Sequence, residues 1–293
     1  MELISIIRRS FPPLEGVMRK HLTGLDHAVI RVDDLDRASD DFAAMGFALS
    51  PRGRHTLGTE NRCVMFGFDY IELLWVPPGV EAPFYANAAE EGMSALALKS
   101  TDVADLHDAW AKSGLEPEPW VEFSRPVEIG AGQSADARFR ACALPATRTP
   151  GGRAFACQHF TPELVWRRGL SRHRNLVTGI NKIAIVADDP ASVALAWGGI
   201  FDMPRHPIPG GVAINTGAAP IVVLRPDAVA RQLAGLAIDT SRSPSFAAIY
   251  LSCADLKVAA SVLHAGGQRP VALADGSLGL PPADAHGIAL VFK

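Results

Sequence analysis

The sequence predicts an α+β fold in which four copies of one small unit pair into two cupped mixed sheets. Three observations carry this expectation. Four apolar, strand-like stretches begin alike and end in a short acidic turn: GLDHAVIRVDDLD from Gly24, GMSALALKSTDVAD from Gly92, GINKIAIVADDP from Gly179 and SFAAIYLSCADL from Ser245. Helical spacing follows each turn and stops at a glycine. Beyond each glycine the pattern becomes strand-like runs broken by Gly, Pro and polar residues. Such a unit is a strand, a helix and about three more strands. It is too small to bury both faces of its own sheet, so consecutive copies should pair.

Taken in order, the units fill roughly 24–77, 92–166, 179–226 and 244–293. The first opens with a strand from Leu25 to Val32, continues with a helix from Asp36 to Met45 ended by Gly46, and closes on the strand Phe68–Val76. In the second, a helix over Val103–Lys112 stops at Gly114, and residues 117–152 read as a long loop with one clear strand, Ala137–Leu144. Loops of that length are often lids or site walls. The third helix is expected to be short, Ala191–Trp197, closed by Gly198 and Gly199, and the fourth runs over Lys257–His264 to Gly266. Arg167–Gly179 is polar and basic and reads as a solvated linker. The expected organisation is an extension at 1–21, a first domain at 22–168, a linker at 169–178 and a second domain at 179–293. Met18 is a plausible alternative start.

The 28 Lys and Arg against 31 Asp and Glu give a net charge of −3, without a long run of either sign. That argues against nucleic-acid and membrane surfaces and favours a small-molecule partner. Cys63, Cys142, Cys157 and Cys253 are scattered in apolar runs and form no CxxC pair, as expected of reduced core thiols in a cytoplasmic protein. No stretch approaches the ~18 consecutive apolar residues of a membrane span.

His27 lies within the first strand, where an imidazole is either hydrogen-bonded in a core or faces a cavity. Its repeat equivalents are Ala95, Lys182 and Ala248, so only the first copy offers a ligand. Glu72 is the lone ionisable group among Ile71, Leu73, Leu74 and Trp75. It must be paired, with Arg62 or Arg31 as the candidate partners, protonated, or bound to a cation. His159 stands beyond the apolar run of the second unit's last strand, where it either caps the turn before Pro162 or joins the other two. Two His and one carboxylate on one face leave open positions on a divalent metal.

The stretches GLDHAVIRVDDLDRASDDFAAMGF, GTENRCVMFGFDYIELLWV and CQHFTPELVW resemble the vicinal oxygen chelate superfamily, which includes glyoxalase I, fosfomycin-resistance proteins and extradiol dioxygenases, and more closely its glyoxalase-like branch. The resemblance covers the N-terminal half well and the C-terminal half only through strand starts and unit length. It implies βαβββ modules paired into cupped glyoxalase-like domains, the second degenerate, and a divalent metal (Fe, Mn, Ni, Co or Zn) held by His27, Glu72 and His159. Ala95 and His159 depart from the glyoxalase I pattern, in which both corners are ligands and the second is usually Glu.

The activity implied is that of a metal-dependent lyase or isomerase acting on a small oxygenated organic molecule. An extradiol-type ring-cleaving dioxygenase and a metal-free binding or sequestering protein are the alternatives. His55 and Glu122 are the candidate catalytic bases. Thr59, Asn61 and Trp75 are candidate substrate contacts, and Trp120 and Trp166 could wall an apolar pocket. A homodimer is possible.

Overall fold

The computed structural model describes residues 19–82, 91–130 and 132–293. Most of the expected extension at 1–21, including Met18, lies outside them. The chain runs β1 (Leu22–Arg31), α1 (Leu35–Ala44), β2 (Gly53–Arg54), β3 (Glu60–Met65), β4 (Tyr70–Trp75), β5 (Gly92–Ser100), α2 (Val103–Lys112), β6 (Val121–Gly130), β7 (Gln133–Ala143), β8 (Arg153–His159) and α3 (Pro162–Val165). The second half continues with β9 (Val177–Val186), α4 (Pro190–Phe201), β10 (Arg205–Ile208), β11 (Gly211–Ile214), β12 (Ile221–Leu224), α5 (Pro226–Gln232), β13 (Ser245–Cys253), α6 (Leu256–Ala265), β14 (Val271–Ala272), β15 (Leu278–Leu280) and β16 (Ala289–Phe292).

Two eight-stranded sheets result, ordered β2-β3-β4-β1-β5-β8-β7-β6 and β10-β11-β12-β9-β13-β16-β15-β14. The two orders are the same permutation, so the chain is four βαβββ units paired within each half. In each pair the first strands of the two units run antiparallel side by side, β1 with β5 and β9 with β13. Each first strand also runs parallel to the last strand of its own unit.

The acidic turns have a local cause. Asp34, Asp102, Asp189 and Asp255 are the N-caps of α1, α2, α4 and α6, each accepting hydrogen bonds from the backbone N–H groups two and three residues on. A carboxylate there satisfies donors that the first helical turn leaves free and favours the dipole. Gly46 and Gly114, at φ 95° and 74°, supply the left-handed residue after α1 and α2.

Three local expectations are corrected. Helix α4 passes through Gly198 and Gly199 to Phe201, and Asp202 takes the left-handed position. A Cβ on Gly198 would lie 3.1 Å from the Arg205 side chain and 3.2 Å from Met203 O, so this glycine serves packing rather than termination. Residues 117–152 are not a loop, because β6 and β7 form a long antiparallel hairpin within them. The segment 169–178 is not a fully solvated linker. His173 bridges Ala48 N (3.0 Å) and Met65 O (2.9 Å), and the fully buried Asn175 donates to Met45 O at 3.0 Å.

One core lies between the sheets and contains α1, α2, α4 and α6, with Phe42, Trp110, Trp197 and Phe201 fully buried. The indole N–H groups of Trp110 and Trp197 donate to Ile200 O (3.2 Å) and Pro150 O (2.9 Å). Each sheet presents its other face to a separate inner cluster. In the second half that cluster is apolar, built from Ala184, Val222, Ala248 and Val291 and filled by Ala228 and Val229 of α5. The first sheet rolls up further. Thr56 N donates to Ser124 O at 2.9 Å and Ser124 N to Thr56 Oγ1 at 3.2 Å, joining the turn after β2 to β6 and nearly closing a barrel. All four cysteines are free thiols. Among the described residues no helix is long and apolar enough to cross a membrane.

Candidate metal centre

The inner face of the first barrel is lined by Val29, Cys63, Met65, Tyr70, Phe139 and Phe155. Into this apolar lining β1 and β4 place the ionisable groups. His27 pairs with Tyr70 and Val29 with Glu72, so the two-residue period of the strands puts His27 and Glu72 on the same inner face. The pairing of β1 with β5 slips between Leu25 and His27. This bulge takes Asp26 out of the alternation and brings its carboxylate beside the His27 ring.

Asp26 is fully buried and its Oδ2 meets two imidazoles, His27 Nδ1 at 2.7 Å and His159 Nε2 at 2.9 Å. On its other edge His27 Nε2 lies 3.4 Å from Glu72 Oε2. Asn61 Nδ2 donates to Glu72 Oε1 at 2.5 Å and lies 3.2 Å from His55 Nε2, while His55 Nδ1 meets Thr59 Oγ1 at 2.8 Å. The ring of His27 stacks on Tyr70 at 4.3 Å and meets the edge of Phe155 at 5.5 Å. Arg31 instead pairs with Asp33 and Arg62 reaches Ser50 O, so neither neutralises Glu72.

These contacts set the charges. Burial alone would raise the Asp26 carboxyl, but the charge and hydrogen bonds of His159 and His27 hold it well below the usual carboxylate range. Burial would likewise lower His27, yet the hydrogen bonds of Asp26 and Glu72 outweigh it and lift the imidazole to about 9. Glu72 is held at about 2 against its burial, chiefly by His27. His55 moves the other way, because burial lowers it and leaves the ring neutral.

A divalent cation fits between His27 Nε2 and Glu72. Their 3.4 Å separation is that of two neighbouring ligands each about 2.1 Å from a tetrahedral ion. Asp26 on Nδ1 supplies the carboxylate behind the imidazole that metal-ligating histidines commonly have. A second set, Asp26, Cys157 and His159, has its donor atoms within 4.8 Å of one another. It fits less well, because Asp26 Oδ2 already holds two imidazoles and Lys99 Nζ is 3.5 Å from Oδ1. Burial also pushes the Cys157 thiol well above its ordinary range, away from the thiolate a metal needs.

His159 therefore joins the centre across Asp26, on the opposite edge of His27 from Glu72. The register explains its position: Ala97 pairs with Phe155, as Val29 pairs with Glu72, so the repeat equivalent of Glu72 is Phe155 and His159 lies four residues farther along β8. Asn61, His55 and Thr59 converge on the Glu72 side. Trp75 does not, since it lies on the other face of β4, against the main core, with Arg52 over its ring. Glu122 is on the outside of β6, paired with Arg140 at 2.6 Å, and Arg140 also covers the exposed Trp120. Trp166 packs with α3 on the inner cluster and, with Lys99, His159 and Phe68, lines a cleft of about 590 Å³.

The family model for the glyoxalase-like domain matches residues 25–201, which hold every residue of this centre. The chain belongs to the glyoxalase-like domain family. No match to a curated protein was found at the sequence level. Among solved structures, the glyoxalase-like chain is similar to a hypothetical protein from Staphylococcus aureus, at 13% identity and a TM-score of 0.66 over 92% of this chain and 98% of that one. It is also similar to a mutant of 4-hydroxymandelate synthase from Streptomyces coelicolor (14% identity, TM-score 0.58, 93% and 92% covered). A third likeness is to a xylose isomerase-like TIM barrel/4-hydroxyphenylpyruvate dioxygenase fusion protein (15% identity, TM-score 0.60, 97% of this chain and 50% of that one). At these identities the likeness is one of fold, and the fold is that of the vicinal oxygen chelate superfamily.

Sequence reasoning missed Asp26. Its signal was present: two successive polar residues, Asp26 and His27, inside an otherwise apolar strand are what a bulge can place on one side. It also missed Arg125, which lies on the inner side of β6, in the stretch read as loop.

Proposed function

We propose that this chain is a divalent-metal-dependent lyase or isomerase of the vicinal oxygen chelate type, acting on a small oxygenated organic molecule in the first barrel. The observation that carries the reading is His27, with Nδ1 clamped by Asp26 at 2.7 Å and Nε2 facing Glu72 at 3.4 Å inside an apolar enclosure. His27 and Glu72 would hold the ion, and Asp26 would fix the ring that binds it. When bound, such an ion supplies Lewis acidity that favours negative charge developing on a substrate oxygen.

The chain's own residues cover the remaining needs. His55 is neutral and can take a proton at Nε2 once a substrate displaces Asn61 from it. Asn61 keeps Glu72 oriented, and Tyr70, Phe155 and Trp166 exclude water. His159 remains a proposed third ligand only if it leaves Asp26. The likeness to 4-hydroxymandelate synthase favours a second reading, a dioxygenase using Fe(II) at the same donors, which oxygen uptake would reveal.

The test is elemental analysis of protein purified without chelator. About one equivalent of a transition metal in the wild type, lost in both His27→Ala and Glu72→Ala, is the expected result. A wild type that carries no metal and takes up none on reconstitution would leave a metal-free binding protein.

A further inference from the structure

Arg125 is buried inside the first barrel, 7% exposed, between the inward-facing Phe123 and Val127 of β6. Among the described residues its guanidinium makes no ion pair and no hydrogen bond, whereas Arg52, Arg140 and Arg153 all pair with carboxylates. Burying a cation without a partner is costly unless something else supplies the negative charge. The space beside it is also particular. A Cβ on Gly53, across the barrel seam, would lie 3.1 Å from both Cδ and Nη1 of Arg125 and 2.5 Å from Asn61 Oδ1. Gly53 has no left-handed backbone to account for it, so its missing side chain leaves room for these two groups. Asn61 Oδ1 is itself buried and unpartnered, and the other end of that amide holds Glu72.

We infer that Arg125 binds the carboxylate of the substrate, and that the substrate is a small hydroxy acid whose hydroxyl donates to Asn61 Oδ1. A guanidinium presents a planar fork of N–H donors that matches the two oxygens of a carboxylate. Asn61 Oδ1 can only accept, so the group beside the carboxylate must be a donor. The catalytic meaning of this assignment rests on the metal reading above, because it sets the carboxylate on the Asn61 side of Glu72. The binding itself requires no metal.

The experiment uses full-length, chelator-treated protein with lactate and mandelate as probes, and lactamide and mandelamide as controls that keep the hydroxyl and lose the charge. The acids should raise the melting temperature saturably and the amides should not. Arg125→Gln should weaken acid binding by at least about tenfold in calorimetry, the scale of losing a charged hydrogen bond, and Arg125→Lys should keep part of it. Without ligand, Arg125→Gln should melt no lower than the wild type, since an unpaired buried charge has been removed. Gly53→Ala, which fills the cradle and leaves the guanidinium in place, should also lose acid binding.

Acid binding that is absent in the wild type or unchanged in the variants would overturn the inference. So would a ligand-free Arg125→Gln that melts below the wild type, which would mark Arg125 as a structural cation. Mn²⁺ uptake separates the two readings. Intact uptake with no Arg125-dependent binding sinks this inference alone. Arg125-dependent binding in a wild type that takes up no Mn²⁺ sinks the metal reading and leaves this one.

Discussion

The orientation of His27 rests on Asp26, and so does its protonation. Without metal the ring keeps its proton up to a pH of about 9 because Asp26 and Glu72 both accept from it. A cation at Nε2 must displace that proton. Mn²⁺ affinity should therefore rise about tenfold per pH unit from neutral toward pH 9 and level off above it, and calorimetry in two buffers should show about one proton released at pH 7. Asp26→Asn keeps the shape and removes the charge, and should weaken Mn²⁺ binding by about 10- to 100-fold. A pH-independent affinity would contradict this role for His27. In the metal-free protein the same shift has a stability sign. The folded-state value is raised from 6.5, so the contribution of His27 is complete below pH 6.5 and is lost as pH climbs through about 9. At this scale the sequence made His27, Glu72 and Asn61 legible, because a polar group in an apolar strand needs a reason. Asp26 and Arg125 were hidden by a bulge and by a strand read as loop.

At the scale of elements, what was legible followed from local chemistry. The four capping aspartates mark four helix starts, and three of the four expected helices match within a residue or so at each end. What was not legible depends on tertiary partners. In GGIF the two glycines read as a stop, but α4 continues because Gly198 lets the chain around Met203 and Arg205 approach closely. In VEFSRPVEIG the alternation Phe123, Arg125, Val127 was masked by Pro126 and the glycines of the turn. Pro126 is tolerated because β6 is the last strand of the sheet order, where a missing backbone donor need not break a ladder. That hairpin matters to the site, since β6 brings Arg125 to the barrel interior.

Across the whole molecule, the repeat predicted two sheets of paired units, and both are present with the same strand order. The single core between them was not predictable from periodicity, which says which face is apolar but not what covers it. Because Trp110 of the first half donates to Ile200 of the second and both sheets share α1, α2, α4 and α6, the halves should unfold together. Calorimetry should show one transition, and Trp110→Ala should lower it as a unit by about 3–5 kcal/mol. Two resolved transitions would contradict a shared core. The same packing explains how the second half supports the first: α5 packs on its inner face, and its outer face completes the core on which β1 and β4 rest.

The most direct test of the metal centre is a zinc titration of ¹⁵N-histidine-labelled, chelator-treated protein, followed by long-range ring correlations in NMR. The account predicts that His27 becomes Nε2-coordinated while its Nδ1–H to Asp26 is retained, with His159 still paired to Asp26, and that Glu72→Ala abolishes the change. Coordination at His159 with His27 unaffected, or no histidine responding at all, would contradict it.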